Sequence, residues 1–180
     1  MKPIFLIGYP GCGKTTLGRA LADHLKINFY DLDHYITSRF RATIPEMFAT
    51  VGEEEFRRRE SVMLREIGEM ENVIIACGGG TPCFHDNMEY MDKNGTTVWL
   101  KASEPVLIER ILRAGKRRPM FADCLTDDAV RQHLKTLGEQ REKIYARAHY
   151  SFNADELESR AMIDNSVKLF IREILTQKTQ

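Results

Sequence analysis

A glycine-rich segment near the start of the chain carries residue types that can hold phosphate groups. Gly8 to Thr15 reads Gly-Tyr-Pro-Gly-Cys-Gly-Lys-Thr and matches the pattern G-x-x-x-x-G-K-[ST]. Glycines in such a loop let backbone N–H groups turn inward around phosphate oxygens, while the lysine adds a point charge and the hydroxyl ligates Mg²⁺. An apolar run, Ile4 to Ile7, precedes the loop and a helical pattern follows it. The sequence therefore predicts a site for a nucleoside triphosphate and magnesium.

Two carboxylates follow the next apolar run. Tyr30-Asp31-Leu32-Asp33 ends a predicted strand from Asn28 to Leu32, and ligands of parallel α/β sheets bind beyond the carboxyl ends of strands. Because strand side chains alternate, we expect Asp31 and Asp33 on the same side of an extended chain. One carboxylate could hold a water of magnesium, and the other could accept a proton from an attacking hydroxyl. Asp33 could instead begin a loop or cap a helix.

Arginines and glycines in the middle of the chain could receive an anionic acceptor. Arg57-Arg58-Arg59 lies early in a charged helix predicted from Glu53 to Met70. Each helical residue turns by ~100°, so at most one or two of these arginines can face a site while the others are solvated. Gly78-Gly79-Gly80 ends a predicted strand from Val73 to Cys77 and permits close approach of the backbone to a ligand. A flexible turn is the alternative for the glycines.

A stretch without helical or strand periodicity, Ala114 to Thr126, is rich in Lys, Arg and Gly. It contains Lys116-Arg117-Arg118-Pro119, and a mobile arginine that closes over phosphates and excludes water favours phosphoryl transfer. We therefore predict a mobile lid at about residues 113–126, with an ordinary charged loop as the alternative. Arg141, late in a predicted helix, carries no signal by itself.

The elements that position these residues alternate along the chain. Short apolar runs separated by amphipathic stretches predict βαβ units and a parallel sheet covered on both faces. The predicted strands are Ile4–Ile7, Asn28–Leu32, Val73–Cys77, Thr97–Leu100 and Tyr150–Asn153. The predicted helices are Thr16–Leu25, His34–Phe48 with a break at Pro45, Glu53–Met70, His85–Lys93, Glu104–Arg113, Asp127–Ala148 and Ser159–Leu175.

Composition limits the classes of protein to which the chain can belong. Its 180 residues, of which 43% are hydrophobic, suit one domain with its own core. The 26 Lys and Arg balance the 26 Asp and Glu, which does not favour a nucleic-acid partner. No apolar run reaches the ~18 residues of a membrane span, so we expect a cytoplasmic protein without a membrane partner. No extended heptad or apolar patch is evident, and a monomer is expected.

The four cysteines, which include Cys12, form no Cys-x-x-Cys pair, and no histidine lies near them at metal-ligand spacing. Neither a zinc site nor a disulfide framework is therefore predicted. Cys12 lies inside the phosphate loop, where we interpret it as a small filler residue. A reactive thiol is the alternative, because a helix N-terminus could lower its pKa.

The order and spacing of these motifs resemble the shikimate kinase family over nearly the whole chain. The matching motifs are the loop Gly8 to Thr15, Asp31-x-Asp33, Phe56-Arg57 with Glu60, Gly78-Gly79-Gly80, Arg118-Pro119, and Arg141 with Tyr145. The resemblance implies ATP-dependent phosphorylation of the 3-hydroxyl of shikimate to shikimate 3-phosphate, in aromatic amino acid biosynthesis. The implied fold is a three-layer α/β/α P-loop NTPase fold of nucleoside monophosphate kinase type, with a five-stranded parallel sheet and a mobile lid. One kinase domain would span residues 1–180, with a substrate-binding region at about 34–60.

The resemblance also implies a role for each matching residue. The ATP-binding residues would be Gly11, Cys12, Gly13, Lys14, Thr15, Thr16 and the lid arginine Arg118. Magnesium would be held by Thr15 and, through water, by Asp31. The shikimate-binding residues would be Asp33, Arg57, Glu60, Gly79, Gly80 and Arg141, with Phe48 and Phe56 as apolar walls. Asp33 would serve as the base, and Lys14 and Arg118 would act on the phosphates.

The chain departs from the family pattern in the lid and near the adenine. Met120-Phe121 follows Pro119 where the family usually has two leucines, which should alter packing more than chemistry. Ala154 to Ser159 lacks the proline that the family often has near the adenine. Arg110 or Arg113 could stack on the base, and the sequence does not choose between them.

Two other functions share part of this pattern. Another small-molecule P-loop kinase, such as one for gluconate, would share the phosphate loop and lid. It would not need Arg57 and Arg141 as a carboxylate pair with a glycine triplet between them. A non-catalytic nucleotide-binding module is the alternative from a different class, and the candidate base Asp33 and the lid arginine Arg118 count against it.

Overall fold

The computed structural model of the chain describes residues 1–115, 121 and 123–176. Within these residues, parallel strands form one sheet in the order β2-β3-β1-β4-β5. The strands are β1 (Ile4–Ile7), β2 (Asn28–Asp31), β3 (Val73–Ala76), β4 (Thr96–Lys101) and β5 (Tyr150–Asn153). The α-helices are α1 (Lys14–Leu25), α2 (Leu32–Phe40), α3 (Ile44–Gly68), α4 (Asn87–Asn94), α5 (Glu104–Ala114), α6 (Asp127–Tyr145) and α7 (Arg160–Phe170). A short 3₁₀ turn covers Thr81–Cys83, and a π-helical turn, Ile171–Leu175, follows α7.

Helices cover both faces of the sheet. The central strands β1 and β3 are apolar and buried at every position, as expected of strands covered on both faces. Phe5 points toward α4, where its ring lies 6.5 Å from that of Tyr90. The next residue, Leu6, packs against Gly18 of α1, since a Cβ added there would come 2.9 Å from Leu6 Cδ1. Successive strand residues point to opposite faces, so α1 and α4 form opposite outer layers, and the predicted α/β/α fold is confirmed.

The loops that end β1 and β3 meet at the carboxyl edge of the sheet. β1 pairs with β3 on one side and with β4 on the other. The chain leaves β1 for β2 in one direction and later crosses to β4 in the other, which makes this region a topological switch point. Such points are where open α/β sheets bind ligands.

The strand predicted to reach Leu32 ends one residue earlier. Asp31 is the N-cap of α2, and its Oδ1 accepts a hydrogen bond from the backbone N–H of His34 at 3.3 Å. Asp33 therefore lies in the first helical turn. The expectation that Asp31 and Asp33 share one side of an extended chain was wrong, because a carboxylate that satisfies an early helical N–H favours helix over strand.

The helical stretch predicted from His34 to Phe48, with a break at Pro45, is interrupted before that proline. α2 ends at Phe40, and α3 begins at Ile44 with Pro45 in its first turn, where the missing N–H costs nothing. Thr43 and Glu46 form a capping box at this start. α3 then runs to Gly68 across a kink at Gly52, whose φ of 79° and ψ of 169° are non-helical.

The predicted lid lies partly outside the described residues. Its arginine, Arg118, belongs to the undescribed segment 116–120 and thus has no structural account. In the part of the chain that the structure covers, no helix combines the length and apolar character that a membrane crossing needs.

The capping box at the start of α3 should contribute to the free energy of unfolding. Thr43 Oγ1 accepts from the backbone N–H of Glu46, and Glu46 Oε2 accepts from the backbone N–H of Thr43. Thr43→Ala should therefore lower the free energy of unfolding by about 1 kcal/mol, measured by urea denaturation. Thr43→Ser is the control, since serine caps equally well and should leave the midpoint nearly unchanged. Equal midpoints for the alanine variant and the wild type would contradict the capping role.

Candidate active site

A cavity of about 570 Å³ lies among the phosphate loop, the start of α2, the glycine turn after β3, and helices α3 and α6. Its volume is that of a site for a small molecule. Most of the residues predicted from the sequence to bind ligands line it: Gly11, Gly13, Lys14, Thr15, Thr16, Asp31, Asp33, Phe48, Phe56, Arg57, Glu60, Gly79, Gly80 and Arg141. The fold thus brings both predicted groups, phosphate-binding and acceptor-binding, into one space.

Among the described residues that were predicted to bind ligands, Cys12 is the exception, because it does not line the cavity. The residue is fully buried, and its Sγ lies 3.0 Å from the position that a Cβ on Gly8 would take. Buried structural thiols are inert. The geometry agrees with the interpretation of Cys12 as a small filler residue, and any role in ATP binding would fall to its backbone.

The phosphate loop leads directly into α1. Gly13 has a φ of 100° and offers no side-chain cap to the helix that starts at Lys14. A side chain at Gly13 would be strained by this φ, and its Cβ would lie 2.4 Å from Leu157 Cδ1. The amino group of Lys14 donates to the backbone oxygens of Gly8 at 2.8 Å and Tyr9 at 2.9 Å. Uncapped N–H groups, the helix dipole and a lysine together form an anion site.

Thr15 and Asp31 form an oxygen pair at the same end of the cavity. The hydroxyl of Thr15 donates to Asp31 Oδ2 at 2.7 Å. Hydroxyl and carboxylate oxygens are the ligands that Mg²⁺ prefers, and this ion keeps several waters and binds through few protein groups. The described residues contain no cluster of three or more His, Cys, Asp or Glu placed to hold a metal. The pair fits a magnesium ion that is shared with phosphates.

Asp33 lies at the acceptor end, next to the glycine turn. A Cβ at Gly78 would come 2.7 Å from Asp33 Oδ1, 3.0 Å from Thr81 Oγ1 and 3.3 Å from Glu60 Oε1. These oxygens converge because the glycine leaves room for them. Burial, together with the nearby carboxylates of Glu60 and Asp31, raises the pKa of Asp33 to about 6, while Lys14 and Arg57 act in the opposite direction. A carboxyl group with such a pKa can take up and release a proton near neutral pH.

Arg57 is held in the cavity wall by a buried carboxylate. Glu60 is 1% exposed; its Oε2 accepts from Arg57 Nη1 at 2.9 Å and its Oε1 accepts from Thr81 Oγ1 at 2.6 Å. The guanidinium of Arg57 lies 4.1 Å from the ring centre of Phe84, a cation–π contact. Its Nη1 and Nη2 lie 2.9 Å from a Cβ position on Gly80. The side chain thus reaches the glycine triplet.

The other two arginines of the Arg57-Arg58-Arg59 run do not line the cavity. Arg58 and Arg59 both pair with Glu55, at 2.7 and 2.8 Å, and the Arg58 side chain is 65% exposed. The turn of the helix therefore separates the three residues as the periodicity predicted.

Arg141 is a buried arginine with an unused donor. Among the described residues, its Nη1 has no hydrogen-bond partner although the residue is only 7% exposed. This nitrogen lies 3.1 Å from the Cβ position of Gly79, and the hydroxyl of Tyr145 donates to the backbone oxygen of the same glycine. A buried, unsatisfied charged donor is costly. An anion at the glycine triplet would satisfy it.

Sequence reasoning missed several residues that shape the site. Thr81 follows the glycine triplet and binds Glu60, as described above. Tyr9 donates to Glu142 Oε1 at 3.1 Å and so connects the phosphate loop to α6. Burial, with a contribution from Glu142, raises the pKa of Tyr9, which keeps its phenol protonated. The position of Tyr9 within the loop could have suggested such a link; Thr81 gave no signal.

The two arginines proposed for the adenine have different surroundings. Arg110 lines the cavity, and it donates to Glu158 Oε1 at 2.7 Å, to Ala154 O at 2.9 Å and to Asp155 O at 2.7 Å. Arg113 is 60% exposed and pairs with Glu158 outside the cavity. The structure thus places Arg110, with its edges hydrogen-bonded, beside the phosphate loop.

Comparison with known proteins agrees with this geometry. The family model described as shikimate kinase matches residues 10–174. A shikimate kinase of Bacteroides thetaiotaomicron is 47% identical over 168 residues, covering 93% of this chain and 95% of the relative. One from Legionella pneumophila is 38% identical and covers 97% of each chain.

Solved structures give the same result. The crystal structure of the Bacteroides thetaiotaomicron shikimate kinase has a TM-score of 0.87 at 45% identity, covering 95% of this chain and 96% of that one. The structure of Acinetobacter baumannii shikimate kinase in complex with shikimate has a TM-score of 0.84 at 34% identity, covering 100% and 96%. The predicted family, fold and kinase activity are confirmed, and the two alternative functions gain no support. The chain belongs to the shikimate kinase family of ATP-dependent transferases.

Proposed function

We propose that this cavity transfers the γ-phosphoryl group of ATP to the 3-hydroxyl of shikimate, with the residue roles given below. The observation that carries the proposal is the Nη1 of buried Arg141, which has no hydrogen-bond partner among the described residues. It lies at the glycine triplet, as does Arg57, in the same cavity as Lys14. A compact anion with hydroxyl groups fits this end, because arginines suit a carboxylate. The Acinetobacter baumannii relative, solved with shikimate, supports the choice of ligand.

The phosphate end would bind ATP through the loop and the start of α1. Backbone N–H groups from Gly11 to Thr16 would surround the phosphate oxygens. Lys14 would exchange its bonds with Gly8 and Tyr9 for oxygens of the β- and γ-phosphates. Thr15 and, through water, Asp31 would hold Mg²⁺, which neutralises charge on these phosphates when it is bound. A contact from Arg118 to the phosphates stays a prediction, because this residue lies outside the described segments.

The acceptor end would orient shikimate and remove its proton. Arg141 and Arg57 would bind the carboxylate, and the tilted rings of Phe48 and Phe56, 4.6 Å apart, would form the apolar wall. Asp33 would accept the proton of the 3-hydroxyl as the hydroxyl oxygen attacks the γ-phosphorus. The bond from this phosphorus to the β–γ bridging oxygen would break, and ADP would leave with that oxygen. With a pKa of about 6, this carboxyl group is mostly ionised above neutral pH and can act as the base.

Glu60 and the glycine triplet would contribute through position. Glu60 would not meet the reacting atoms, since both of its oxygens are already engaged by Arg57 and Thr81. Gly79 and Gly80 would bring their backbone close to the substrate, because they have no side chains. A Cβ at either position would crowd the guanidinium group of Arg141 or Arg57.

Arg110, rather than Arg113, would stack on the adenine base. Arg110 lines the cavity, and its hydrogen bonds to segment 154–158 use the edges of the guanidinium, so stacking on the base would use its flat face. A monomeric enzyme that works in the cytoplasm, and a single domain over residues 1–180, stay predictions of the sequence.

The first test is acceptor-dependent turnover. Purified protein with ATP and Mg²⁺ should release ADP rapidly on addition of shikimate, and phosphorus NMR should show a phosphate on the 3-hydroxyl. Gluconate is the matched control, because it offers a carboxylate and hydroxyls without the ring. ADP release that is equal with shikimate, with gluconate and with no acceptor would contradict the proposal.

The second test concerns the base. Asp33→Asn should lower kcat by about 10²- to 10⁴-fold, the usual contribution of a general base, while the Kd for shikimate changes little. In the wild type, kcat/KM should rise about tenfold per pH unit up to pH ~6 and level off above it, because ionised Asp33 is required. A variant with normal kcat would remove Asp33 from the role of base.

A further inference from the structure

The guanidinium of Arg57 is already occupied on the edge that a carboxylate would use. Its Nε and Nη2 both donate to Glu53 Oε1, at 3.3 and 3.1 Å. Its Nη1 also donates to Glu60 at 2.9 Å, and a Cβ added to Gly80 would lie 2.9 Å from both terminal nitrogens. A ligand carboxylate that forms a fork with the Nε–Nη2 edge of Arg57 would therefore have to displace Glu53.

The two carboxylates that hold Arg57 differ in how firmly they are fixed. Glu60 is 1% exposed and has a second bond to Thr81. The Glu53 side chain is 57% exposed, and its bonds to Arg57 are its sole contacts of this kind within the described residues. Glu53 also follows directly after the non-helical Gly52. Glu53 can thus move into water at small cost, whereas Glu60 cannot leave without stranding a buried charge.

The two arginines of the proposed carboxylate site are therefore unequal. Arg141 has an open, buried Nη1 in the described part of the chain. Arg57, which approaches the next glycine, Gly80, is paired with Glu53 on its Nε–Nη2 edge and with Glu60 at Nη1. An incoming carboxylate can bind Arg141 directly, but on the Nε–Nη2 edge of Arg57 it must replace the carboxylate of Glu53.

We propose that Glu53 is an internal competitor for the substrate carboxylate. It occupies the Nε–Nη2 edge of Arg57 in the free enzyme and moves into solvent when the carboxylate of shikimate takes that edge. The inference rests on the proposed carboxylate-binding role of Arg57 and Arg141. It has two consequences: Arg57 stays paired in both states, and the affinity for shikimate is lower than two open arginines would give.

The test uses Glu53→Gln, which keeps the size of the side chain and one hydrogen-bond acceptor but removes the charge. The Kd and KM for shikimate should fall about two- to fivefold, the range that partly exposed ion pairs reach. The KM for ATP and kcat should not change, because Glu53 acts at the carboxylate end. Calorimetric titration gives the Kd, and a coupled ADP assay gives the kinetic constants.

Glu54→Gln is the matched control. Glu54 is the next residue of the same helix, is exposed, and makes no side-chain hydrogen bond or ion pair within the described residues. The substitution Glu54→Gln removes the same charge without changing the contacts of Arg57, so the Kd for shikimate should equal that of the wild type. An equal fall in Kd for both variants would show a general field effect and overturn the proposal.

Other outcomes also decide the matter. A Kd that is unchanged or raised in Glu53→Gln would overturn the inference, since Glu53 would then support Arg57 rather than compete for it. This failure differs from a failure of the proposed function. A wild-type enzyme that does not phosphorylate shikimate would contradict the function itself, whereas normal turnover with an unchanged Kd in the variant would remove only the role of Glu53.

Discussion

The buried carboxylate of Glu60 is the interaction on which the acceptor end of the site depends. It joins α3, through Arg57, to the turn after β3, through Thr81. Because Glu60 is almost fully buried, loss of Arg57 would leave its charge without compensation, and loss of Thr81 would leave one of its oxygens without a hydrogen bond. Both elements are therefore held in register. The glycine triplet between them has no side chains, and so the guanidinium groups of Arg57 and Arg141 can approach its backbone. One ion pair thus sets the geometry of the proposed carboxylate site.

The same concentration of charge explains the chemistry proposed for the cavity. Asp33 lies near Glu60 and Asp31, and their negative charges add to burial in raising its pKa to about 6. Lys14 and Arg57 act in the opposite direction and keep the carboxyl group within reach of neutral pH. A base that ionises just below neutrality fits proton removal from a hydroxyl. Glu60 and Arg57 therefore affect both the pKa of Asp33 and the geometry of the proposed carboxylate site.

Much of this arrangement follows from local sequence. The phosphate loop is predictable because glycines at positive φ, a lysine and a hydroxyl must stand at fixed spacing between a strand and a helix. The apolar runs of β1 and β3 predicted buried parallel strands. The Asp31–Asp33 segment was misjudged, because strand alternation and helix capping compete there and capping prevails. Pro45 was read as a breaker, although Thr43-x-x-Glu46 is a capping-box pattern that could have marked a helix start.

Other features depend on tertiary contacts that no local pattern encodes. The bond of Thr81 to Glu60, the different pairing of Arg57 and Arg141, and the burial of Arg110 on segment 154–158 arise where distant elements meet. The family resemblance supplied roles for Arg57 and Arg141, but it did not show that one of them is open and the other occupied.

The central claim is that phosphate-binding and carboxylate-binding residues act on two substrates in one cavity. A crystal structure with shikimate and a non-hydrolysable ATP analogue tests it most directly. We expect the shikimate carboxylate on Arg57 and Arg141, and the 3-hydroxyl oxygen about 3 Å from the Asp33 carboxylate while facing the γ-phosphate near Lys14. A shikimate carboxylate bound away from both arginines, or a 3-hydroxyl turned away from Asp33, would contradict the account.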